Sequence, residues 1–262
     1  MSKFFVQSEQ IKGNIISIAD EDAYHINRVL RMNVGDKLTV CDGKGSDYIA
    51  IIRSIAKDSI LAEIIETLPC LQEPKLNVVL FQGLPKSDKM DYIIQKCVEL
   101  GATRIVPLIT ARTVVKIKSK EDAIKKVQRW NKISAEASKQ CNRGMLPTIE
   151  QPVDLHQAVN IAADLDFTFV PYENEKHCSI KDVLNKAKSL IFNGNKSGYN
   201  NKSSKPSIGF FIGPEGGFEK DEIELLQKNN IFAASLGPRI LRSETAGLCV
   251  ISCIMYEFDE LC

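Results

Sequence analysis

The part of the chain after Pro74 alternates short apolar segments with amphipathic ones, and this alternation restricts the fold more than any other feature. Five runs of strand length, LNVVLFQ, RIVPLIT, DFTFV, IGFFIG and IFAASL, are each followed by a segment with helical spacing. Strands covered on both faces are continuously apolar, and helical connections bring successive strands into parallel register. The sequence therefore predicts an α/β domain, residues 74–262, with a parallel sheet of about five strands.

The first 73 residues have a different pattern. Short β-type segments between residues 37 and 68 are separated by the turn sequences DGKG and AKDS, and one helix is predicted at 20–32. A Pro-containing stretch, 69–74, has the composition of a linker. We therefore expect a small β-rich domain, residues 1–73, before the α/β domain.

Composition excludes several classes of protein. Hydrophobic residues make up 44% of the chain and charged residues 26%, which excludes a disordered chain. Apolar runs stay below the roughly 18 residues that cross a bilayer, and the N-terminus lacks a signal-peptide pattern, so we expect a cytoplasmic protein with no membrane partner. The eight cysteines are scattered and histidines number three, so no metal centre is expected. The polar run 193–207 is predicted to be a surface insertion.

The formal net charge of +1 conceals an uneven distribution. Residues 1–73 carry 8 Lys/Arg and 11 Asp/Glu, residues 74–147 carry 15 and 6, and residues 148–262 carry 11 and 16. A basic block in a neutral chain is typical of a surface that meets a polyanion, although solvated helix faces give the same pattern. Charge alone leaves both interpretations open.

The strongest local motif is IGPEGGF, residues 212–218, between a predicted strand and a predicted helix. Ligands of open α/β sheets bind beyond the carboxyl ends of the strands, where glycines permit close approach of the backbone. The motif is neither the dinucleotide-binding fingerprint nor a P-loop, and the acidic start of the next helix disfavours a phosphate. We predict a ligand-binding loop, with a purely structural turn as the alternative.

A second motif, LGPRILRSETA at 236–246, follows the last predicted strand. Two arginines and a glutamate stand beside an apolar pair, and Ser243 is predicted to be the N-cap of the last helix. The alternative is a capped helix start with solvated charges. Together with IGPEGGF, the motif predicts a polar cluster beside an apolar cradle suited to an uncharged, adenine-like ligand.

These two motifs closely resemble the RsmE family of SPOUT-class RNA methyltransferases. Three further segments are similar to the family's motifs in the same order: HINRVLR at 25–31 with VGD at 34–36, Lys86 with QKCVELGA at 95–102, and EASKQCNR at 136–143. The match of five motifs over nearly the whole chain makes the resemblance specific.

The resemblance implies a PUA-like β-barrel domain followed by a SPOUT domain whose parallel sheet ends in a trefoil knot. It implies a homodimer that binds S-adenosylmethionine in the knot loops and releases S-adenosylhomocysteine. The implied reaction is methylation of N3 of one uridine in 16S ribosomal RNA, near the decoding centre of the small ribosomal subunit. The sequence leaves open which uridine is modified and whether the substrate is free RNA or an assembled subunit.

The resemblance also assigns roles to individual residues. As a hypothesis, Arg239 or Arg242 stabilises negative charge on the uracil, and Glu244 orients the guanidinium or accepts the N3 proton. The residues implied in cofactor binding are Val170, Pro171, Tyr172, Gly213, Pro214, Glu215, Gly216, Leu236, Gly237, Ile240, Leu241 and Thr245. The candidates for contacts with RNA phosphates are Arg28, Arg31, Lys86, Lys96, Arg104, Arg112, Arg129 and Arg143.

Two other interpretations belong to different functional classes. A catalytically silent RNA-binding or ribosome-assembly protein of the same fold is disfavoured by the intact GPEGG and RSETA sequences. A Rossmann-type small-molecule enzyme lacks the early glycine fingerprint and leaves the basic block unexplained.

Overall fold

The computed structural model describes residues 3–193 and 205–261, which form two compact units. Unit 1 comprises residues 1–73 and 138–146, and unit 2 comprises residues 74–137 and 147–262. The first break lies where the sequence predicts a domain boundary. The sequence placed 138–146 in the second domain, whereas in the structure this segment packs within unit 1. The predicted insertion at 193–207 lies largely outside the described residues.

Unit 1 is built on a six-stranded sheet in the order β1-β4-β5-β6-β3-β2, in which β1 is parallel to β4 and the remaining pairs are antiparallel. Its core is formed by alternating apolar side chains of β3, β4, β5 and β6. Closure of this sheet into a barrel stays a prediction. The strands are β1 Lys3–Phe5, β2 Ile11–Lys12, β3 Ile15–Ala19, β4 Lys37–Cys41, β5 Ser46–Ile55 and β6 Ser59–Pro69.

The helix predicted at 20–32 is shorter in the structure. Helix α1 covers Asp20–Tyr24, and a π-helical turn continues over His25–Val29, where the N–H of Leu30 donates to the carbonyl of His25 at 2.9 Å. Arg31 ends the segment with φ +53°. The sequence pattern predicts too long an α-helix, because the spacing of apolar residues does not distinguish an α-helix from a π-helical turn.

The predicted parallel sheet is confirmed in unit 2, where all strand pairs of the described residues are parallel. The order is β10-β8-β7-β12-β11-β13, with β9 paired to β8. The five apolar runs form β7, β8, β11, β12 and β13, while β9 and β10 are two-residue strands too short to show a period. The strands are β7 Asn77–Gly83, β8 Arg104–Ile109, β9 Thr148–Ile149, β10 Val153–Asp154, β11 Phe167–Pro171, β12 Ser207–Ile212 and β13 Phe232–Ala234.

Helices cover both faces of this sheet, as the apolar strands predict. Along β7, Val78 and Leu80 pack with α2, α5 and α7, whereas Val79 and Phe81 point to the opposite face and pack with α4 and α6. The helices are α2 Lys89–Glu99, α3 Lys120–Gln140, α4 Leu155–Ala163, α5 Ile180–Asn193, α6 Lys220–Lys228 and α7 Ser243–Glu257.

Strands β12, β11 and β13 are neighbours, so the loops that follow them begin at one edge of the sheet. We call residues 172–179 loop 1, residues 213–219 loop 2 and residues 235–242 loop 3. The carboxyl edge of a parallel sheet is where ligands bind in this architecture. Both glycine-containing motifs of the sequence lie at this edge.

Candidate functional site

Backbone hydrogen bonds join loop 1 to loop 3. The N–H of Ser235 donates to the carbonyl of Cys178 at 2.8 Å, and the N–H of Ile180 donates to the carbonyl of Ser235 at 3.0 Å. The N–H of Tyr172 donates to the carbonyl of Ala234 at 2.9 Å. These bonds extend the pairing of β11 with β13, so the two loops are held together as one wall.

Loops 1 and 3 enclose a cavity of about 540 Å³, within the range of small-molecule sites. Gly237 lies in its lining with φ +94°, and a Cβ placed there would meet no atom within 4 Å. A side chain at this position of the lining would therefore meet no steric obstacle within the protein. The lining comprises Pro171, Tyr172, Glu173, Glu175, Lys176, Ser235, Leu236, Gly237, Pro238, Arg239, Ile240, Leu241 and Ala246.

Charged groups of both signs stand around this cavity. Glu173, Glu175, Lys176 and Arg239 belong to the lining. The N–H of His177 donates to the Glu175 carboxylate at 2.8 Å, and this hydrogen bond holds the pKa of Glu175 below its ordinary value. The cavity therefore combines an apolar part with separate acidic and basic groups, which suits a ligand that carries both charges.

Loop 2 is packed so tightly that its glycines are required. A Cβ at Gly213 would lie 2.9 Å from the Cα of Gly217, and Gly217 has φ +68°. A Cβ at Gly83, at the end of β7, would lie 2.5 Å from Pro214. The loop is also held from outside, because the Arg112 guanidinium donates to the carbonyl of Gly216 at 2.7 Å.

A buried chain of hydrogen bonds connects β7, loop 2 and α7. The Gln82 Nε2 group donates to the Ser243 Oγ at 2.9 Å and to the carbonyl of Gly83 at 2.9 Å. Because Ser243 accepts this bond, its own proton goes to the carbonyl of Gly213 at 2.6 Å. The predicted N-cap role of Ser243 is therefore wrong: Arg242 is the N-cap, and the hydroxyl is used to hold the RSETA segment against loop 2.

A lysine that the sequence reasoning missed connects the two motifs. The Nζ of Lys89 lies 3.0 Å from Glu215 Oε1 and 3.5 Å from Glu244 Oε2. The hydrogen bond to Glu215 raises the pKa of Lys89. Burial alone raises the pKa of Glu215, but hydrogen bonds from backbone N–H groups and from Lys89 bring it below the ordinary value. The feature of the sequence that could have indicated Lys89 is its position three residues after Lys86, at the start of the helix that follows β7.

The predicted catalytic residues lie in loop 3 and in the first turn of α7. Arg239 lines the cavity, and Arg242 is exposed at the N-cap position. Glu244 is in the first turn of α7 with its side chain 17% exposed. Within residues 3–193 and 205–261, its Oε2 is a buried oxygen without a hydrogen-bond partner. The cation recorded beside this oxygen is Lys89, whose Nζ lies 3.5 Å away.

Only some of the predicted cofactor-binding residues line the cavity. Val170 is fully buried in the core, Thr245 is exposed on α7, and the residues of loop 2 lie outside the lining of the cavity. The cavity itself brings together Pro171, Tyr172, Leu236, Gly237, Ile240 and Leu241. Loop 2 does not line the cavity but is joined to the start of α7, through the hydrogen bond of Ser243 to Gly213 and through the ion pairs of Lys89.

The predicted RNA-contacting residues are at the surface, with one exception. The Arg143 side chain is 3% exposed and donates to the buried carboxylate of Glu73 at 2.9 Å. Its assignment to RNA phosphates is therefore wrong, because the charge is used inside unit 1. The other predicted residues are exposed or half-exposed. Arg28 and Arg31 lie in unit 1, and Lys86 lies in unit 2. The remaining four form ion pairs: Lys96 with Glu99, Arg104 with Glu150, Arg112 with Glu219, and Arg129 with Asp91.

Among the residues that the structure describes, no group of three or more His, Cys, Asp or Glu side chains is arranged to hold a metal ion. In the same part of the chain, no helix has the length and apolar character needed to cross a membrane.

Comparisons with known proteins agree with this architecture. Residues 72–255 match the family model of the RNA methyltransferase domain, and residues 18–65 match that of the RNA methyltransferase PUA domain. The ribosomal RNA small subunit methyltransferase E of Bacillus subtilis is 35% identical, over 100% of this chain and 98% of that protein.

Two solved structures are also similar. A ribosomal RNA small subunit methyltransferase E from Neisseria gonorrhoeae, bound to S-adenosyl methionine, is 28% identical with a TM-score of 0.80, covering 98% of this chain and 97% of that one. A methyltransferase from Legionella pneumophila, solved with the same cofactor, is 30% identical with a TM-score of 0.78, covering 97% and 96%. The chain therefore belongs to the ribosomal RNA small subunit methyltransferase E family, as its motifs predict.

Proposed function

We propose that this protein transfers the methyl group of S-adenosylmethionine to N3 of a specific uridine in 16S ribosomal RNA of the small subunit, in the cytoplasm. The cavity between loops 1 and 3 carries this proposal, since it is a small-molecule site at the carboxyl edge of the sheet in a chain of an RNA methyltransferase family. Free S-adenosylhomocysteine is the second product. No metal takes part in the proposed reaction.

The residues of the cavity fit the cofactor. Leu236, Ile240, Leu241 and Ala246 provide an apolar surface for the adenine ring, and Gly237 leaves room for it. The carboxylate of the amino-acid part would lie near a cationic group such as Lys176, and its cationic groups near Glu173. When bound, the cofactor supplies a methyl group on a positively charged sulfur, which is ready for attack by a nucleophile.

The chain's own residues must deal with the proton on uracil N3. Loss of this proton leaves negative charge on the ring, which the Arg239 or Arg242 guanidinium would stabilise. The Glu244 carboxylate, whose Oε2 is buried without a hydrogen bond among the described residues, would accept the N3 proton or orient a guanidinium. Positioning of the base against the methyl group provides the rest of the acceleration.

Surface charge supports RNA as the substrate. Arg129, Arg104, Arg112 and Lys96 belong to the basic block of residues 74–147, and their ion pairs are exposed or half-exposed. Lys86 of the same block is exposed. Exposed ion pairs contribute little stability, so their cations can exchange a carboxylate for a phosphate at low cost. Arg28 and Arg31 offer further exposed cations in unit 1.

We include the knot and the homodimer in the proposal. Helix α7 follows the edge strand β13 but packs against α2 and the central strands β7 and β12, so the chain returns past the intervening loops, as a trefoil knot requires. In loop 3, Ile240 is 90% exposed, and Tyr256 of α7 is 72% exposed. A second copy of the chain would cover these apolar side chains.

Methyl transfer with mapping of the product tests the function. Labelled S-adenosylmethionine is incubated with unmodified small subunits and with free 16S RNA, and the labelled base is identified. We expect one labelled uridine, methylated at N3, and loss of label when that uridine is replaced by cytidine. RNA binding without label on either substrate would favour the catalytically silent assembly protein.

A further inference from the structure

Lys89 is a residue without an assigned role that contacts both motifs from outside the lining of the cavity. It is the first residue of α2 and its Nζ lies between carboxylates from two separate motifs, Glu215 of loop 2 and Glu244 of α7. Its side chain is 33% exposed, compared with 30% for Glu215 and 17% for Glu244. The contact therefore lies at the wall of the site and is partly shielded from water.

The two carboxylates are held differently. Glu215 accepts hydrogen bonds from the N–H of Lys86 at 3.1 Å and from Lys89. Glu244 Oε2 is buried without a hydrogen bond among the described residues, and Lys89 is the cation recorded beside it. Without that cation, a buried carboxylate oxygen would face the negative charge of Glu215, which is unfavourable at low exposure. Glu244 thus depends on Lys89 more than Glu215 does.

We propose that Lys89 is a positioning residue, which holds the Glu244 carboxylate in place for the reaction by anchoring it to loop 2 through Glu215. The inference rests on the proposed function for its effect on catalysis, but the linkage itself is a property of the protein without ligand. Lys89 acts through Glu244, so its loss affects the chemical step more than the binding of cofactor or RNA.

The linkage is tested first without any substrate, by urea unfolding of a double-mutant cycle. The variants are Lys89→Met, Glu244→Gln and the two combined, in the full chain. We expect the single effects on the folding equilibrium constant to be non-additive by about threefold or more, as for residues in contact. Additive effects would overturn the linkage, whether or not the protein is a methyltransferase.

The catalytic consequence is tested by steady-state methyl transfer to small subunits. We expect Lys89→Met to lower kcat about 10- to 100-fold, with the Kd for S-adenosylmethionine, measured by calorimetry, changed less than about threefold. Lys89→Arg should restore most of kcat, and Lys89→Met should add little to Glu244→Gln. The matched control is Lys220→Met, on α6 and paired with Glu224, which should leave kcat unchanged.

The outcomes are separable. A wild-type protein that binds cofactor but transfers no methyl group contradicts the proposed function, whereas the unfolding cycle still decides the linkage. An active wild type with an unchanged kcat in Lys89→Met overturns the positioning role. Equal losses of kcat and cofactor affinity in Lys89→Met and Lys89→Arg also overturn it, because they indicate a general structural defect.

Discussion

The Arg143 guanidinium donates to the Glu73 carboxylate at 2.9 Å although the two residues are 70 positions apart in the chain. Their side chains are 3% and 5% exposed, and the N–H groups of Gly144 and Met145 donate to the same carboxylate at 2.7 and 2.9 Å. The carboxylate thus fixes a turn of the segment 138–146 to the end of residues 1–73. This buried ion pair makes unit 1 a single folded body out of two stretches of sequence.

Glu73→Gln should destabilise the protein by about 3 kcal/mol at pH 7, because it leaves a buried guanidinium without its counter-charge. Urea unfolding measures the loss. The control is Glu63→Gln, whose partner Arg53 is exposed, and there we expect a change of at most about 1 kcal/mol. Equal effects of the two variants would contradict the importance of burial.

The same pair predicts a dependence on pH. Burial alone raises the pKa of Glu73, but hydrogen bonding and the charge of Arg143, with the two backbone N–H groups, hold it below the ordinary value. A depressed pKa contributes stability that is complete above the pKa of the unfolded chain and is lost as pH falls through the folded pKa. Unfolding followed from pH 7 to pH 3 should show a weaker acid dependence in Glu73→Gln than in the wild type.

Gln82→Met should destabilise the protein by about 1–3 kcal/mol, because the Ser243 hydroxyl and the Gly83 carbonyl lose a buried donor. It should also weaken binding of S-adenosylmethionine, since α7 loses its bond to β7 and the Ser243 hydroxyl that contacts loop 2 loses its donor. Urea unfolding and calorimetry check both effects. Ser252→Ala, which removes a hydroxyl bonded to its own helix, should be nearly neutral and provides the control.

Gly237→Ala should lower the affinity for S-adenosylmethionine at least about 10-fold, because it adds a methyl group to the lining of the cavity. The left-handed backbone also costs about 1 kcal/mol of stability for alanine. Gly35→Ala separates the two effects, since Gly35 has φ +98° and equally open surroundings in unit 1. We expect the same loss of stability there and unchanged cofactor binding; a matching loss of affinity in both variants would contradict the location of the site.

Arg242→Ala should reduce kcat about 100-fold or more at saturating cofactor, if its guanidinium stabilises charge on the uracil. Single-turnover transfer to small subunits measures this step directly. Arg53→Ala, at an exposed ion pair of unit 1, is the control and should retain wild-type turnover. Near-normal turnover of Arg242→Ala would remove this residue from the catalytic assignment and leave Arg239 as the remaining arginine.

Arg129→Gln should weaken RNA binding and lower the slope of log K against log salt by about 1, as expected for one lost phosphate contact. The guanidinium is 60% exposed and pairs with Asp91 at the surface, so its removal should leave stability nearly unchanged. Titrations at several salt concentrations test this. Lys220→Gln, 83% exposed on α6, should leave the slope unchanged.

The sequence predicted the parts of the fold that depend on local pattern. The apolar runs that are long enough to be recognised as strands form β7, β8, β11, β12 and β13. The glycines of loop 2 lie where close packing requires them. Strands β9 and β10 have two residues each, and so short a segment has no periodicity to recognise.

The failures concern side chains whose role depends on a distant partner. Arg143 belongs to the basic block by sequence, but only its burial against Glu73 shows that its charge is satisfied internally. Ser243 has the sequence position of an N-cap, yet Gln82 and Gly213 take its hydroxyl. The contacts of Lys89 could not be predicted, because only the fold brings Glu215 and Glu244 to its ammonium group.

The discontinuity of unit 1 has a consequence for how the protein is made. A ribosome that has released residues 1–73 has not yet synthesised Arg143, so the Glu73 carboxylate must remain hydrated and the unit incomplete. Unit 1 closes only after residue 146 has left the exit tunnel, when α3 of unit 2 has also been synthesised. Maturation of the N-terminal unit is thereby tied to synthesis of the first half of the catalytic one.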